Sequence, residues 1–353
     1  MIVIGNKEKK DWISKAKGFG ILGIVAVHTV QKFVVPSHLS SVASAGMYCV
    51  QLFFVLSAYL TFVSLEKTKH PMSLVCYLKY LGHKLLRLVP VLYTAVLWHV
   101  IMYAIQIGGV PKFNDTIWKD VLFAITFLNG FSYHHINPWV NWYIGGLVIF
   151  LAVAPLLFRW ITTLKKAVVF FVGSMFFAWL SSIVVFKLGF EYDCFFYYWF
   201  PNQLPVLAIG IAFYFFQRGE IDASKKKSVG VFLFVVSACL LLSLFFFTTP
   251  LQVHVRYGLF LFVFVYVLFN NSGKWFDWLM VLGDYSYGIY LYHFCLLTVF
   301  DCFVNWFDIN RTSVPVFICS YVLLVALSLV ISKLANVLVE KPFFNFMKRK
   351  FDI

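Results

Sequence analysis

Apolar runs of about 17 to 25 residues recur along almost the whole chain, and short polar stretches between them hold most of its lysines and arginines. A run of that length spans the hydrocarbon core of a bilayer as one helix. Run length places ten such helices, at about 18–36, 42–65, 88–108, 139–159, 167–187, 202–217, 228–247, 255–271, 285–305 and 313–338. The stretch VLFAITFLNGF at 121–131 reads as a half-helix or an interfacial segment, so an eleventh crossing stays open.

Composition sharpens this picture. Of 353 residues, 61% are hydrophobic and only 12% charged, roughly half the charge of a soluble domain. The pattern therefore predicts an all-α, polytopic integral membrane helix bundle. The formal net charge of +14 does not point to nucleic acid, because no water-exposed module is long enough to gather the basic residues. It points to topology: with the N-terminus placed in the cytoplasm, 23 of the 29 Lys and Arg residues fall in inside segments and six outside. That asymmetry predicts an even number of spans and cytoplasmic termini.

Seven scattered cysteines form no CxxC pair, and no His lies at ligand spacing from them, so neither a disulfide framework nor a metal site is expected. No cleavage site follows the first apolar run, which reads as a retained helix rather than a signal peptide. With no internal repeat, the expectation is a single membrane domain over 1–353, with a cytoplasmic N-terminal segment at 1–17 and a cytoplasmic tail at 339–353.

Ionisable side chains at bilayer depth are costly and mark candidate sites. His28 lies near the middle of the first predicted span, and Lys17 stands 11 residues before it. Eleven residues turn a helix to within about 20° of three full turns, so the two share a face about 16 Å apart. A cation at the rim and an imidazole deep in the same groove suit a long anionic thioester, and neutral imidazole is a competent base near pH 7. His28 as packing glue and Lys17 as a topological anchor fit the same spacing. Lys84 and Arg87, three residues apart before Pro90, suit a two-cation clamp for phosphates or an anchor on anionic headgroups. Tyr287, Tyr290 and His293 recur every third residue at the start of the ninth span, which suits a polar site or an interfacial aromatic belt.

These segments together resemble acyltransferase family 3, the membrane O-acyltransferases. The basic residue, ten-residue gap and histidine of its first helix are similar to Lys17 and His28. FFVLSAYL, 53–60, resembles its FFxxSG motif and retains Ser57; KLLRLVP, 84–90, resembles its paired-basic motif. NWYIGGLVIFLAVAPLL at 141–157, with Trp142, is similar to its tryptophan segment, and FPNQLPVLAIGI at 200–211 to its Asn-Gln-Leu-Pro helix start. GDYSYGIYLYH at 283–293 and EKPF at 340–343 complete seven motifs in the family's order. The departures are Ala58 for the usual Gly, Lys84 where Arg is commoner, Ser14 in the place of a frequent Asp, and Leu147 where many members carry Glu.

The resemblance implies transfer of an acyl group, with acetyl-CoA as the expected donor and no metal, to a hydroxyl of a cell-surface or lipid-linked saccharide such as O-antigen, by a multi-pass protein of the bacterial inner membrane. It implies His28 as general base or as a transient carrier of the acyl group, Lys17, Lys84 and Arg87 at the donor phosphates, and Ser57, Trp142, Tyr287 and His293 along the tunnel or at the acceptor. The partners expected are acyl-CoA, the saccharide and membrane lipids, with no nucleic acid. A transporter or flippase of a polysaccharide intermediate is the alternative; inverted repeats would mark it, and none is visible. An inactive subunit of a polysaccharide assembly complex is a third.

Overall fold

The computed structural model of the chain describes residues 8–68, 73–109, 111–112, 116–131, 141–188, 198–218, 250–271 and 273–351; the span expected at 228–247 lies outside them. All regular elements among the described residues are helical. In chain order the α-helices are α1 (Glu8–Val30), α2 (Ser37–Ser44), α3 (Cys49–Thr68), α4 (Leu74–Leu86), α5 (Val89–Gln106), α6 (Thr116–Ile125) and α7 (Asn141–Trp160). They continue as α8 (Leu164–Lys187), α9 (Phe200–Arg218), α10 (Pro250–Asn271), α11 (Trp278–Asp284), α12 (Ser286–Trp306), α13 (Val314–Ala335) and α14 (Lys341–Phe351). A π turn at Asn336–Glu340 joins α13 to α14 without a break.

Among the described residues, six helical segments are long and apolar enough to cross a membrane: Asp11–Val30, Ser37–Lys67, Trp142–Trp160, Leu164–Val184, Ser286–Trp306 and Val314–Lys350. The pair α4–α5, bent by 46°, makes a seventh if it is one broken span. The chain is thus an all-helical, multi-pass membrane protein. Helix α6, within the 116–131 region, is ten residues long and too short to span.

Helix boundaries depart from the apolar runs where local chemistry intervenes. Helix α1 begins ten residues before its run, because Trp12, Ile13 and Ala16 already have a buried face to fill. It ends at Val30 rather than continuing to 36, since Gln31 to Phe33 fold into a turn ahead of Pro36. The polar stretch before the third run is itself a helix, α4, and Pro90 in the first turn of α5 breaks the continuity between them.

The chain divides into two compact units, the first Met1–Ala16, Tyr48–Leu78 and Gly146–Asp277, the second Lys17–Met47, Lys79–Gly145 and Trp278–Ile353. In the first unit, α9 packs on α3 and α8, and α10 packs on α3 and α9. Gly210 of α9 lies so close to the Val55 carbonyl and the Ala58 methyl of α3 that a side chain would collide with them. Beside this crossing Trp12 meets Tyr59, Phe213, Phe262 and Tyr266, with ring centroids 5.4 to 6.5 Å apart. Small residues at crossings and rings between them replace the hydrophobic driving force that lipid removes.

The second unit follows the same rule. Gly18 of α1 abuts the Leu279 backbone of α11, Gly46 abuts the Gly23 backbone of α1, and Gly288 of α12 fits against Ser332 of α13. Helix α12 also packs along α5. These contacts hold α1 and α12 in one unit and so determine what their inward side chains can reach.

A methyl at Gly46 would fall on the Gly23 carbonyl, whereas at Gly82 it would meet nothing within 4 Å. Gly46→Ala is expected to cost about 1–3 kcal/mol of stability, read as a lower unfolding temperature in detergent, and Gly82→Ala to leave it unchanged; equal temperatures for both variants would refute the close crossing.

Candidate functional site

His28 occupies the last turn of α1, where the helix stops before Pro36. Its side chain is half-buried, and its Nδ1 lies 3.2 Å from the Gln31 Oε1. An amide oxygen only accepts, so Nδ1 of the neutral ring carries the hydrogen, and Nε2 holds a lone pair.

His293 stands on α12 with no exposed surface. Its Nδ1 is 3.0 Å from the Ile289 carbonyl one turn earlier, which again fixes the hydrogen on Nδ1. Its Nε2 is buried and has no hydrogen-bond partner among the described residues. An unmade bond in an apolar interior costs about 1–3 kcal/mol, a cost that a bound donor group would remove. The two imidazoles face each other with ring centroids 5.4 Å apart, and Phe294 packs against both, 4.3 Å from His28 and 4.2 Å from His293. Two histidines 265 positions apart in sequence thus form one small basic cluster within the second unit.

The tyrosines around His293 have other work. The Tyr287 hydroxyl donates to the Leu88 carbonyl at 2.9 Å, and the Tyr292 hydroxyl lies 2.6 Å from the Thr94 hydroxyl, both on the α5 side. Tyr290 packs edge-on against Tyr143 at 5.5 Å. Tyr287, Tyr290 and His293 do recur on successive turns of one helix, and Tyr287 ties that helix to the α4–α5 bend.

Lys17 and His28 share the unbroken helix α1, but His28 lies in its last turn and Lys17 in the body of the Asp11–Val30 segment, so the expected order of a cation at the rim and an imidazole at mid-span is not found. Lys84 and Arg87 do not share a helix: Lys84 is in the last turn of α4, with its ammonium 5.6 Å above the Tyr80 ring, and Arg87 is exposed in the two-residue turn ahead of α5. The break at Pro90 is the reason. Arg87 also interacts electrostatically with Glu340 of the π turn. Trp142, buried in the first turn of α7, belongs to the second unit with the histidines; Ser57, on α3, belongs to the first.

The sequence reading missed three polar contacts. At the end of α1, the Asp301 carboxylate pairs with Lys32 at 2.5 Å and with Arg311 at 3.3 Å. In the first unit, Lys15 is buried, pairing with Asp277 at 2.7 Å and donating to the Gly273 carbonyl at 2.6 Å, so it is a packing residue as much as a topological one. Gln51 and His254 pair at 3.2 Å between α3 and α10. Except for Asp301 and Arg311, ten residues apart, the partners are widely separated in sequence. Among the described residues, no group of three or more His, Cys, Asp or Glu is placed to hold a metal.

The family model described as Acyltransferase domain matches residues 10–333. No match to a curated protein or to a solved structure accompanies it.

Tyr287→Phe removes one donor from the Leu88 carbonyl. A loss of about 0.5–1.5 kcal/mol is expected in thermal unfolding of the detergent-solubilised protein; an unchanged unfolding temperature would show that the hydroxyl does not tie α12 to the bend.

Proposed function

The chain belongs to acyltransferase family 3, and from that premise we propose that it transfers an acetyl group from acetyl-CoA to a hydroxyl of a cell-surface or lipid-linked saccharide, with His28 as general base. The observation that carries the reading is the pair of facing imidazoles, each with its Nδ1 hydrogen tied down and its Nε2 lone pair available. His28 Nε2 takes the proton of the acceptor hydroxyl as its oxygen attacks the thioester carbon. The tetrahedral adduct collapses, the C–S bond breaks, and the proton passes to the departing thiolate. The products are an O-acetyl sugar and free CoA. His293, fully buried behind Phe294, offers the imidazolium or the hydroxyl a second acceptor in a site with few others.

Lys17, on the same face of α1 as His28, and Lys84 and Arg87, at the α4–α5 bend, supply cations for the donor phosphates. The separation of Lys84 and Arg87 by a bend favours two single contacts over one bidentate clamp. Glu340 beside Arg87 competes with a phosphate there. Trp142 and Tyr287 belong to the surroundings of the acceptor. The remaining topology of this reading is ten spans over one membrane domain with both termini in the cytoplasm, in a bacterial inner membrane, supported by the distribution of Lys and Arg.

In purified protein supplied with acetyl-CoA and acceptor, His28→Ala is expected to lower the rate of CoA release by at least about 10²-fold while leaving membrane insertion and thermal stability near wild type. A fully active His28→Ala enzyme would remove His28 from the mechanism. Replacing Lys84 and Arg87 together by Ala is expected to raise KM for acetyl-CoA with little change in kcat; an unchanged KM would reduce the two cations to lipid anchors.

A further inference from the structure

The end of α1 is fastened to α12 by a compact polar knot. The Lys32 ammonium meets one Asp301 oxygen at 2.5 Å, and the Arg311 guanidinium meets the other at 3.3 Å. The same arm of Arg311 donates to the Lys32 carbonyl at 3.1 Å, and its second arm donates to Asn305 at 2.9 Å. The backbone closes the circle, with Val34 N–H donating to the Arg311 carbonyl at 2.9 Å. Below it, Phe33 packs between Phe300, tilted at 5.9 Å, and Phe317, edge-on at 5.6 Å. Three pieces of chain, the turn after α1, the last turns of α12 and the connection to α13, meet here, with the Asp301 carboxylate between the two cations.

The knot lies near both histidines along their own segments of chain. Lys32 follows His28 by four residues, in the turn after α1, and Asp301 follows His293 by eight, about 12 Å along α12. The two imidazoles have no hydrogen bond to each other, and the ring contacts through Phe294 are non-directional, so neither fixes how α1 and α12 are set against one another at this end. A doubly paired carboxylate does, because the charge-assisted contacts are directional and the two cations would repel without it.

We propose that Asp301 is a positioning residue for the acyl transfer: shared by Lys32 and Arg311, it sets α1 against α12 and thereby the separation of His28 from His293. This rests on His28 acting as base. Small displacements of a catalytic group reduce rate far more than binding, so the consequence falls on kcat.

The test uses the purified full-length protein and release of CoA. Asp301→Asn is expected to lower kcat about tenfold with KM for acetyl-CoA unchanged, and Asp301→Glu to restore at least half of it. Lys32→Met is expected to lower kcat similarly, and the double variant with Asp301→Asn to be no worse than either alone. The Lys32 and Asp301 side chains are 37% and 26% exposed, so raising ionic strength from about 0.05 M to about 0.5 M, which shortens the Debye length several-fold, should lower wild-type kcat and leave that of Asp301→Asn unmoved. Wild-type kcat in Asp301→Asn, additive effects of the two substitutions, or a loss explained wholly by less folded protein would overturn the proposal. If His28→Ala is inactive while Asp301→Asn is normal, the positioning role alone falls; if His28→Ala is fully active, the reading on which it rests falls first.

Discussion

The meeting of α1 with α12 is the constraint that brings the two imidazoles together. A single imidazole within apolar helices is a liability, since lipid offers it no partner. Two of them, each with one nitrogen capped locally and both laid against Phe294, form a polar island that the surrounding helices must close around. The glycines at 18, 46 and 288 let backbones approach closely enough for that closure. Close packing and the basic pair are therefore two sides of one arrangement.

Each unit pairs some of its buried polar groups and leaves others unanswered. In the first, Lys15 pairs with Asp277 and Gln51 with His254, while the Gln51 Oε1 has no hydrogen-bond partner among the described residues. In the second, His293 Nε2 meets none among the described residues. Interiors seldom leave a strong acceptor unanswered without a use for it.

The helices were legible in the sequence to within a few residues for most runs, because a span announces itself through local composition: 285–305 against Ser286–Trp306 and 167–187 against Leu164–Lys187 are examples. His28 was legible for the same reason, as an ionisable residue inside an apolar run. Helix α4 was not, since its apolar residues alternate with Lys79, His83 and Lys84 and read as a loop rich in charge. The face shared by Lys84 and Arg87 failed at Pro90, whose effect on the preceding turn is visible in sequence but whose 46° bend is not. His293 was visible only as part of a tyrosine-rich segment. That it faces His28, and that Asp301 gathers Lys32 and Arg311, depends on contacts between residues up to 279 apart, which periodicity cannot carry.

The π turn at Asn336–Glu340 bears on the orientation of everything after it. A wide turn accommodates one surplus residue without unwinding its helix, and so acts as an angular offset: the polar sector of α14, with Lys341, Lys348 and Arg349, is swung by about 100° from where a regular helix would have carried it. Deleting one residue there would let the segment relax to regular pitch and turn that cationic sector toward a different quadrant, a rotation that cysteine crosslinking to α5 would register. The compass setting of the chain's last helix is thus held by a single supernumerary amino acid.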